Sequence, residues 1–320
     1  MNFVNKVIGP ELDIFEKKFA DAVRSNTPLL DRIMKYIIKR KGKQLRPMFV
    51  FLSAKMGGEI NESTYRAAAL VELLHTATLV HDDVVDESME RRGFFSINAI
   101  WKNKIAVLVG DYLLSKGLLL STVNEDFVHL QILSEAVKQM SEGELLQIEK
   151  SRKLNLDEAT YFEIIKNKTA SLLSSACAVG VYSTSKDEII TQHFKSFGEK
   201  VGIAFQIKDD LFDYGMEDIG KPTGNDIQEK KLTLPLIYTL NKVDKATRRR
   251  IIFIIKNENK NRQSVKYVID EVVKAGGIKY AQEKMTEYRD EALSILLKYD
   301  PSPVRNALEE LVRYTTDRKY

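Results

Sequence analysis

The longest apolar segment of the chain reads YRAAALVELLHTATLVHDDVV at residues 65–85 and contains neither Gly nor Pro. Its apolar side chains recur on most faces of a helix with 3.6 residues per turn. Such a helix in a protein of mixed composition has to be buried, in the centre of a bundle. We therefore expect a central helix at residues 64–86 that ends in a run of acidic side chains.

Helical periodicity continues on both sides of this segment, and the breaks between helices are short. The chain has only 16 Gly and 7 Pro among its 320 residues, which is typical of long helices. No alternating run of apolar and polar residues predicts a strand. Helices are predicted at residues 11–25, 64–86, 104–122, 126–149, 157–183, 187–214, 232–240, 245–256, 262–274, 277–297 and 302–317. The simplest interpretation is an all-α fold with one domain over residues 1–320.

Composition excludes several classes of protein. With 44% hydrophobic and 29% charged residues, the chain can bury a large core. Its single cysteine, Cys177, excludes an intrachain disulfide and a cysteine-based zinc site. Lys and Arg are spread along a chain of net charge +4, so we expect no nucleic-acid partner. We see no signal-peptide pattern and no apolar run long enough to span a membrane, so we expect a cytoplasmic protein.

Two acidic clusters close apolar helical segments. The first reads HDDVVD at residues 81–86 and the second KDDLFD at residues 208–213. In each cluster two carboxylates lie four residues apart, on one face of a helix: Asp82 with Asp86, and Asp209 with Asp213. Like charges at this spacing repel unless a cation binds them, and carboxylate oxygens suit Mg²⁺. One such cluster is weak evidence, but two of the same design indicate a metal site.

Basic side chains that could bind a phosphorylated ligand lie near these clusters or at other helix boundaries. Arg suits phosphate because its guanidinium donates two parallel hydrogen bonds. His75 lies two turns before Asp82, near the same face of the central helix. Each residue alone is more often a solvated charge or an ordinary core histidine. The basic candidates are Lys43, Arg46, Arg91, Arg92, Lys168, Lys221 and Lys231.

The motifs that carry these residues resemble those of the trans-isoprenyl diphosphate synthases, also called polyprenyl synthetases. The resemblance covers essentially the whole chain, and the motifs occur in the family's order. They are GKQLRP, ELLHTATLVHDDVVDESMERRG, GDYLLS, KTA, FQIKDDLFDYGMEDIGKPTGNDIQEKKLTLPLIY and GGIKYAQEKMTEY. The resemblance implies an isoprenoid synthase-type helical bundle around a large central cavity.

The resemblance also implies roles for individual residues. Asp82, Asp86 and Asp209 would ligate Mg²⁺, about three ions in all, against an allylic diphosphate, with Asp213 as a supporting ligand. The residues that match isopentenyl diphosphate contacts are Lys43, Arg46, His75 and Arg92. The residues that match allylic substrate contacts are Arg91, Lys168, Thr169, Gln206 and Lys221, with Lys231 near the diphosphate.

The chemistry implied by the resemblance is head-to-tail chain elongation. Mg²⁺ and the basic residues stabilise the departing pyrophosphate, so that the allylic C–O bond ionises and isopentenyl diphosphate attacks the carbocation. A farnesyl or geranyl type of allylic diphosphate is the expected primer. A homodimer is the usual state in the family. Transient contact with the inner face of a membrane is compatible with an insoluble product.

The side chains before the first cluster bear on the length of the product. In the family, a bulky aromatic about five residues before the first aspartate stops elongation early. This chain has Ala77 and Thr78 there, and Leu74 lies on the same face as Asp82. The expected product is therefore a long-chain polyprenyl diphosphate, roughly C30 to C50, with octaprenyl diphosphate as the central value.

Three alternatives remain open. A farnesyl or geranylgeranyl diphosphate synthase would use the same clusters but stop earlier. A terpene cyclase shares the first cluster but usually carries an Asn/Asp, Ser/Thr and Glu pattern in place of the second. A non-catalytic helical subunit or scaffold typically loses one cluster or the basic turn, whereas this chain keeps all of them. Mg²⁺-dependent release of pyrophosphate distinguishes an enzyme from a scaffold.

Overall fold

The computed structural model describes residues 2–40, 42–91, 93–153, 157–215 and 223–317. The chain divides into two compact units. The first comprises Met1–Val137, Ser175–Lys195 and Pro301–Leu308, and the second comprises Lys138–Ser174, Ser196–Asp300 and Glu309–Tyr320. A single domain over the whole chain stays a prediction.

Helices account for nearly all of the secondary structure in the described residues, which confirms the all-α prediction. The only strands in those ranges are two residues long and form one antiparallel hairpin. In chain order the elements are α1 (Asn2–Ala22), α2 (Pro28–Lys39), α3 (Leu45–Gly57), α4 (Glu62–Val85), β1 (Glu90–Arg91), β2 (Phe94–Phe95), α5 (Ile97–Val123), α6 (Phe127–Lys153), α7 (Glu158–Ile165), a π-helical turn (Lys166–Ala170), α8 (Ser171–Ser185), α9 (Glu188–Phe212), α10 (Asn225–Gln228), α11 (Leu234–Lys242), α12 (Lys245–Phe253), a second π-helical turn (Ile254–Glu258), α13 (Arg262–Lys274), α14 (Gly277–Leu296) and α15 (Pro303–Asp317).

Helix α4 is the predicted central helix, and its first turn explains where it begins. The Asn61 side chain accepts a hydrogen bond from the Thr64 backbone N–H at 3.2 Å, and the Thr64 hydroxyl accepts one from the Asn61 backbone N–H at 3.4 Å. This capping box satisfies two N–H groups that a helix start would otherwise leave unpaired. From Ala67 to Leu74 the only side chain that is not buried is that of Glu72. The predicted bounds of 64–86 match Glu62–Val85 closely.

Several predictions of helix position differ from the structure. Helix α1 begins at Asn2 and contains Pro10, so it starts nine residues before the predicted start at residue 11. Helix α2 was not predicted, although Pro28 stands at its first turn, where proline is favoured, and it buries Ile33 and Met34. Helix α5 begins at Ile97 and not near residue 104, because Ser96 caps it by accepting from the Ala99 N–H at 3.3 Å. Lys102 interrupts α5 with a φ of 74°, so that the predicted helix corresponds to the part after the kink.

Each unit has its own apolar core. In the first unit, side chains of α4 pack with those of α2 and α5, among them Leu73, Ala77 and Leu113. In the second unit, the core joins α7, α9 and helices α11 to α14, with fully buried Ile207 and Ile251. One helix in the described residues, α5, is long and apolar enough to cross a membrane by length and composition alone, a test that core helices also pass. The expectation of no membrane-spanning helix therefore stays a prediction.

Candidate active site

The first acidic cluster lies at the end of α4 in the first unit, where its three aspartates have different surroundings. Asp83 is buried and accepts a hydrogen bond from Arg91 Nε at 2.7 Å to Oδ1, and Arg91 Nη2 forms an ion pair with the same oxygen at 2.7 Å. Asp82 is half-buried, and Asp86, the residue that ends the helix, is exposed. Because Asp83 is held by Arg91, Asp82 and Asp86 are the members whose spacing suits a shared cation.

The segment after this cluster is tied back to the helix end by side chains from the start of α5. The Asp83 carbonyl accepts from the Ser88 N–H at 2.9 Å and from Asn98 Nδ2 at 3.2 Å. Ser96 Oγ in turn donates to the Ser88 carbonyl at 2.7 Å. These bonds fix the hairpin that carries Arg91. They explain why Arg91, a hairpin residue predicted to contact substrate, lies against the aspartate cluster.

Two predicted diphosphate ligands from different helices lie together in the first unit. Arg46, in the first turn of α3, donates from Nη1 to Nε2 of His75 on α4 at 2.9 Å. Arginine has no acceptor atom, so His75 Nε2 must be the unprotonated nitrogen of the ring. Lys43 is exposed in the turn before α3, where Gln44 adopts a left-handed conformation with a φ of 52°. Arg92 and Lys221 lie outside the described residues.

The second unit places Lys168 and Thr169 on the π-helical turn between α7 and α8. Two glycines let neighbouring helices approach this turn: a Cβ at Gly143 would lie 2.9 Å from Asn167 Cβ, and one at Gly202 would lie 2.5 Å from Ala170 Cα. Both distances are below any real contact, so larger residues would push α6 and α9 away. Turns of this kind are frequent at functional sites. The KTA motif, at residues 168–170 within the predicted helix 157–183, therefore lies in a π-helical turn.

A directional hydrogen-bond chain runs from this turn to the second acidic cluster. Thr169 Oγ1 donates to Gln206 Oε1 at 2.8 Å, and Gln206 Nε2 donates to Asp210 Oδ1 at 2.9 Å. Tyr161 donates its hydroxyl hydrogen to the other Asp210 oxygen, Oδ2, at 2.7 Å. Both oxygens of Asp210 are thus used by the protein, and Asp209 and Asp210 both line a cavity. Lys168 forms an ion pair with Glu144 of α6.

Asp213 acts chiefly as a cap in the structure. Its Oδ1 accepts from the Asn225 N–H at 2.7 Å and its Oδ2 from the Asp226 N–H at 3.0 Å, at the start of α10. The spacing of Asp209 and Asp213 is the predicted one, but backbone groups already use both Asp213 oxygens. Asp209 lines the cavity, which makes it the stronger candidate for direct metal binding. Lys231 pairs with Glu229 at 2.6 Å.

The electrostatics of the second cluster fit a cation. Burial, followed by the nearby Asp209 charge, raises the pKa of Asp210 to about 6, against the effect of its hydrogen bonds. Burial and the charges of Asp210 and Asp213 raise the pKa of Asp226 to about 8. Burial also raises the pKa of Asp213. Buried carboxylates that repel one another are stabilised in their ionised form by a bound divalent ion, and oxygen ligands suit Mg²⁺.

A cavity of about 280 Å³ in the second unit brings most of these residues together. Five predicted residues line it: Lys168, Thr169, Gln206, Asp209 and Lys231. Sequence reasoning missed Gln147, Tyr161, Asp226 and Thr233, which also line it. Asp226 lies within the quoted motif, in GNDIQ, and its acidic character could have drawn attention to it. Tyr161 gave no signal, because its importance depends on a contact with Asp210 across 49 positions.

The residues predicted to set product length lie on α4. Ala77 is fully buried, and Leu74 is buried one turn before Thr78. The Thr78 hydroxyl donates to the His75 carbonyl at 2.9 Å, so its polar group is satisfied within the helix. Opposite them on α5, a Cβ at Gly117 would lie 2.9 Å from Leu70 Cδ1 and 3.7 Å from Leu74 Cδ2. The helices approach closely there because Gly117 has no side chain.

The profile of the polyprenyl synthetase family matches residues 27–272, which include both clusters and the π-helical turn. The chain belongs to the polyprenyl synthetase family. As a member it is a trans-prenyltransferase, an enzyme that condenses isopentenyl diphosphate with an allylic diphosphate. This confirms the resemblance and the expected enzyme class, and the family is Mg²⁺-dependent.

Individual relatives of this polyprenyl synthetase agree with the assignment. A heptaprenyl diphosphate synthase component 2 from Bacillus subtilis is 32% identical over 98% of the chain and 89% of its own length. A crystal structure of a polyprenyl synthase from Caulobacter crescentus, complexed with calcium and isoprenyl diphosphate, has a TM-score of 0.92 and 30% identity, covering 100% of this chain and 98% of that one. A geranylgeranyl pyrophosphate synthase from Bacteroides thetaiotaomicron has a TM-score of 0.83 and 36% identity, covering 99% and 98%. The expected fold class is confirmed.

Proposed function

We propose that this prenyltransferase makes a long-chain all-trans polyprenyl diphosphate, C30–C50, with octaprenyl diphosphate as the central value. The primer is an allylic diphosphate of the farnesyl or geranyl type. The observation that carries the proposal is the small side chain of Ala77, five residues before Asp82, followed by Thr78. Neither would stop an apolar chain that grows along α4 from the acidic cluster.

A shorter product is the main alternative. The Bacteroides relative is named a geranylgeranyl synthase and is slightly more identical to this chain than the Bacillus relative, named a heptaprenyl synthase component. Overall identity therefore does not discriminate between product lengths. The side chains that line the growing product have to determine its length, because each added isoprene unit needs further apolar space.

The described residues support a division of roles in catalysis. Mg²⁺, about three ions as the family resemblance implies, would be held by Asp82 and Asp86 in the first unit and by Asp209 in the second, and would supply positive charge to the leaving diphosphate. Lys168, fixed on the π-helical turn, adds a cation beside Asp209 in the same cavity. Arg46 and His75 form a separate basic pair suited to the diphosphate of isopentenyl diphosphate. Gln206 is held by hydrogen bonds on both of its polar atoms and positions Asp210.

A homodimer is part of the proposal, and the exposed apolar side chains of α5 and the start of α6 support it. Large exposed apolar patches on a protein surface mark interaction sites. Several of these side chains recur seven or eleven residues apart, the spacing of one helix face. They are Ile100, Val107, Leu108, Leu118, Leu119, Val123, Phe127 and Val128. The Bacillus relative is named as one component of a synthase, so a different second chain is the alternative. Mass measurement of the purified protein distinguishes a homodimer from a monomer that needs a partner.

We place the enzyme in the cytoplasm, with peripheral contact at the inner face of the membrane. The support is chemical, because a product with a long apolar tail has low solubility in water. The buried free thiol of Cys177 is compatible with a reducing compartment.

One assay of the purified chain tests activity and product length together. The protein is incubated with isopentenyl diphosphate, farnesyl diphosphate and MgCl₂, and both pyrophosphate release and the chain length of the product are measured. We expect long-chain products, no release after addition of EDTA, and recovery with excess Mg²⁺. Products no longer than geranylgeranyl diphosphate would contradict the proposed length. Absence of pyrophosphate release, also with geranyl diphosphate, would favour the scaffold alternative.

A further inference from the structure

A strongly basic surface covers α12, the second π-helical turn and the start of α13 in the second unit. Residues 242–262 contain eight Lys and Arg but only two Asp and Glu, a net charge of +6, whereas the whole chain carries +4. The rest of the chain is therefore slightly acidic, at −2, so the expectation that Lys and Arg are spread along the chain is wrong for this segment. The eight basic residues are Lys242, Lys245, Arg248, Arg249, Arg250, Lys256, Lys260 and Arg262, and all of them are exposed.

The two acidic residues of this basic surface are already engaged. Asp244 caps α12 and accepts from the Ala246 and Thr247 N–H groups at 2.7 and 3.1 Å. Glu258 pairs with Arg250 at 3.3 Å and accepts from Ser264 Oγ at 2.6 Å. In the part of the chain that the structure describes, Arg248, Arg249 and Lys256 have no ion-pair partner. Their charges are available to an external ligand.

Apolar and aromatic side chains are interleaved with these charges. Ile251 and Ile254 point into the core, and Phe253, between them in sequence, is 46% exposed. The Arg250 guanidinium lies 5.5 Å from the centre of the Phe253 ring. On α13, Tyr267 is 36% exposed next to the exposed Lys266. Aromatic rings among basic residues are characteristic of surfaces that lie at a lipid–water interface.

We propose that the basic surface docks the enzyme on bilayers that contain anionic lipids. Anionic headgroups attract clustered Lys and Arg, and Phe253 can enter the boundary between headgroups and acyl chains. This inference rests on the proposed function. A long polyprenyl tail has to leave water, which gives the enzyme a reason to dock on a bilayer. Charge complementarity between the basic surface and anionic headgroups indicates a lipid bilayer as the partner.

The basic surface is joined to the cavity of the candidate active site by one short turn. Lys230 Nζ donates to the Lys256 carbonyl at 3.1 Å, and Asn259 Nδ2 donates to the Gln228 carbonyl at 2.5 Å. The chain then continues directly into Lys231, which lines the cavity. Docking through the basic surface would therefore bring one edge of that cavity close to the lipid.

Vesicle co-sedimentation of the full chain tests the proposal. The vesicles contain either phosphatidylcholine alone or equal parts of phosphatidylcholine and phosphatidylglycerol. We expect binding only to the second kind, and loss of that binding between about 50 and 500 mM NaCl because salt screens the charges. The triple variant Arg248→Gln, Arg249→Gln and Lys256→Gln should bind the anionic vesicles more weakly by a factor of at least about ten. It should keep its activity with soluble substrates.

A second triple variant, Lys17→Gln, Lys279→Gln and Lys298→Gln, removes the same charge from exposed positions elsewhere and should bind like the wild type. Equal weakening by both variants, or equal binding to both kinds of vesicle, would overturn the proposal. So would tighter binding to an RNA oligonucleotide than to the anionic vesicles at the same salt concentration. Binding without pyrophosphate release would leave the basic surface intact and overturn the proposed function instead.

Discussion

Tyr161 donates its hydroxyl hydrogen to Asp210 Oδ2 at 2.7 Å, and both side chains are buried in the second unit. Gln206 occupies the other oxygen of the same carboxylate. Asp210 is therefore fixed in orientation by two donors, directly beside Asp209, which lines the cavity. Tyr161 thus acts on the second cluster indirectly, through Asp210.

Replacing Tyr161 with Phe should lower kcat while leaving the fold intact. The substitution keeps the ring and removes a hydrogen bond to a carboxylate, which is worth about 1.5–3 kcal/mol, or roughly ten- to a hundredfold in rate if all of it is used in catalysis. Steady-state kinetics and thermal unfolding measure the two effects. Tyr238→Phe is a matched control in the same unit, because Tyr238 stacks on Tyr280 at 4.3 Å between ring centres. An unchanged kcat for Tyr161→Phe would show that catalysis does not depend on the hydrogen bond from Tyr161 to Asp210.

Arg46→Lys should raise the KM for isopentenyl diphosphate by about tenfold or more and change the KM for the allylic substrate little. Lysine keeps the positive charge but lacks the planar guanidinium. That group can donate to His75 and to a diphosphate at the same time. Arg66→Lys, at an ion pair with Asp126 in the same unit, is the control. Equal increases in both KM values for Arg46→Lys would contradict a site selective for isopentenyl diphosphate.

Ala77→Phe should shorten the product. Under the proposed function, the added ring would obstruct the growing product beside α4 and end chain growth earlier. Overpacking at this buried position should also cost about 1–3 kcal/mol of stability. Ala77→Leu is a milder change with an intermediate product length, and Ala77→Ser should leave the length unchanged. Chromatography of the dephosphorylated products measures the outcome, and identical lengths in all three variants would rule out a role for Ala77.

The two outer carboxylates of the second cluster should respond differently to the same change. Asp209→Asn should raise the Mg²⁺ concentration needed for half-maximal activity, because the residue lines the cavity. Asp213→Asn should mainly lower the midpoint of thermal unfolding in EDTA, since it weakens the cap of α10, a loss of about 1 kcal/mol. A larger Mg²⁺ effect for Asp213→Asn would reverse the ranking of the two as metal ligands.

His129 should make the stability of the protein depend on pH below neutrality. Burial lowers the pKa of His129 to about 4, against the attraction of Asp126 and with minor help from Lys186 and Arg66. Above pH 6.5 the imidazole is neutral in both states, so its contribution is fully present. As pH falls from 6.5 towards 4, the unfolded chain takes up the proton first, and up to about 3 kcal/mol of stability is lost.

Denaturant unfolding between pH 7 and about pH 4.5 checks this expectation. His129→Gln removes the titrating group and should flatten the pH dependence, whereas His193→Gln, at an exposed position, should leave it unchanged. Parallel slopes for the wild type and His129→Gln would assign the dependence to other groups.

Local patterns were enough to place the helices that carry the site. The capping residues, the apolar run of α4 and the four-residue spacing of the aspartates are all properties of neighbouring positions. The sequence missed α2, however, and it predicted α5 without its first turns, because a kink at Lys102 breaks the periodicity. Asp226 went unnoticed because its role depends on burial next to Asp210 and Asp213.

The sequence by itself determined the family, the all-α architecture and the identity of the charged residues, since motif order and helical period are written along the chain. Only the tertiary structure decided what those residues do to one another. Arg91 engages Asp83, Asp213 caps α10, and Tyr161 supports Asp210. These contacts join positions up to 49 residues apart. Their energies come from burial and geometry, which no local pattern of residues encodes.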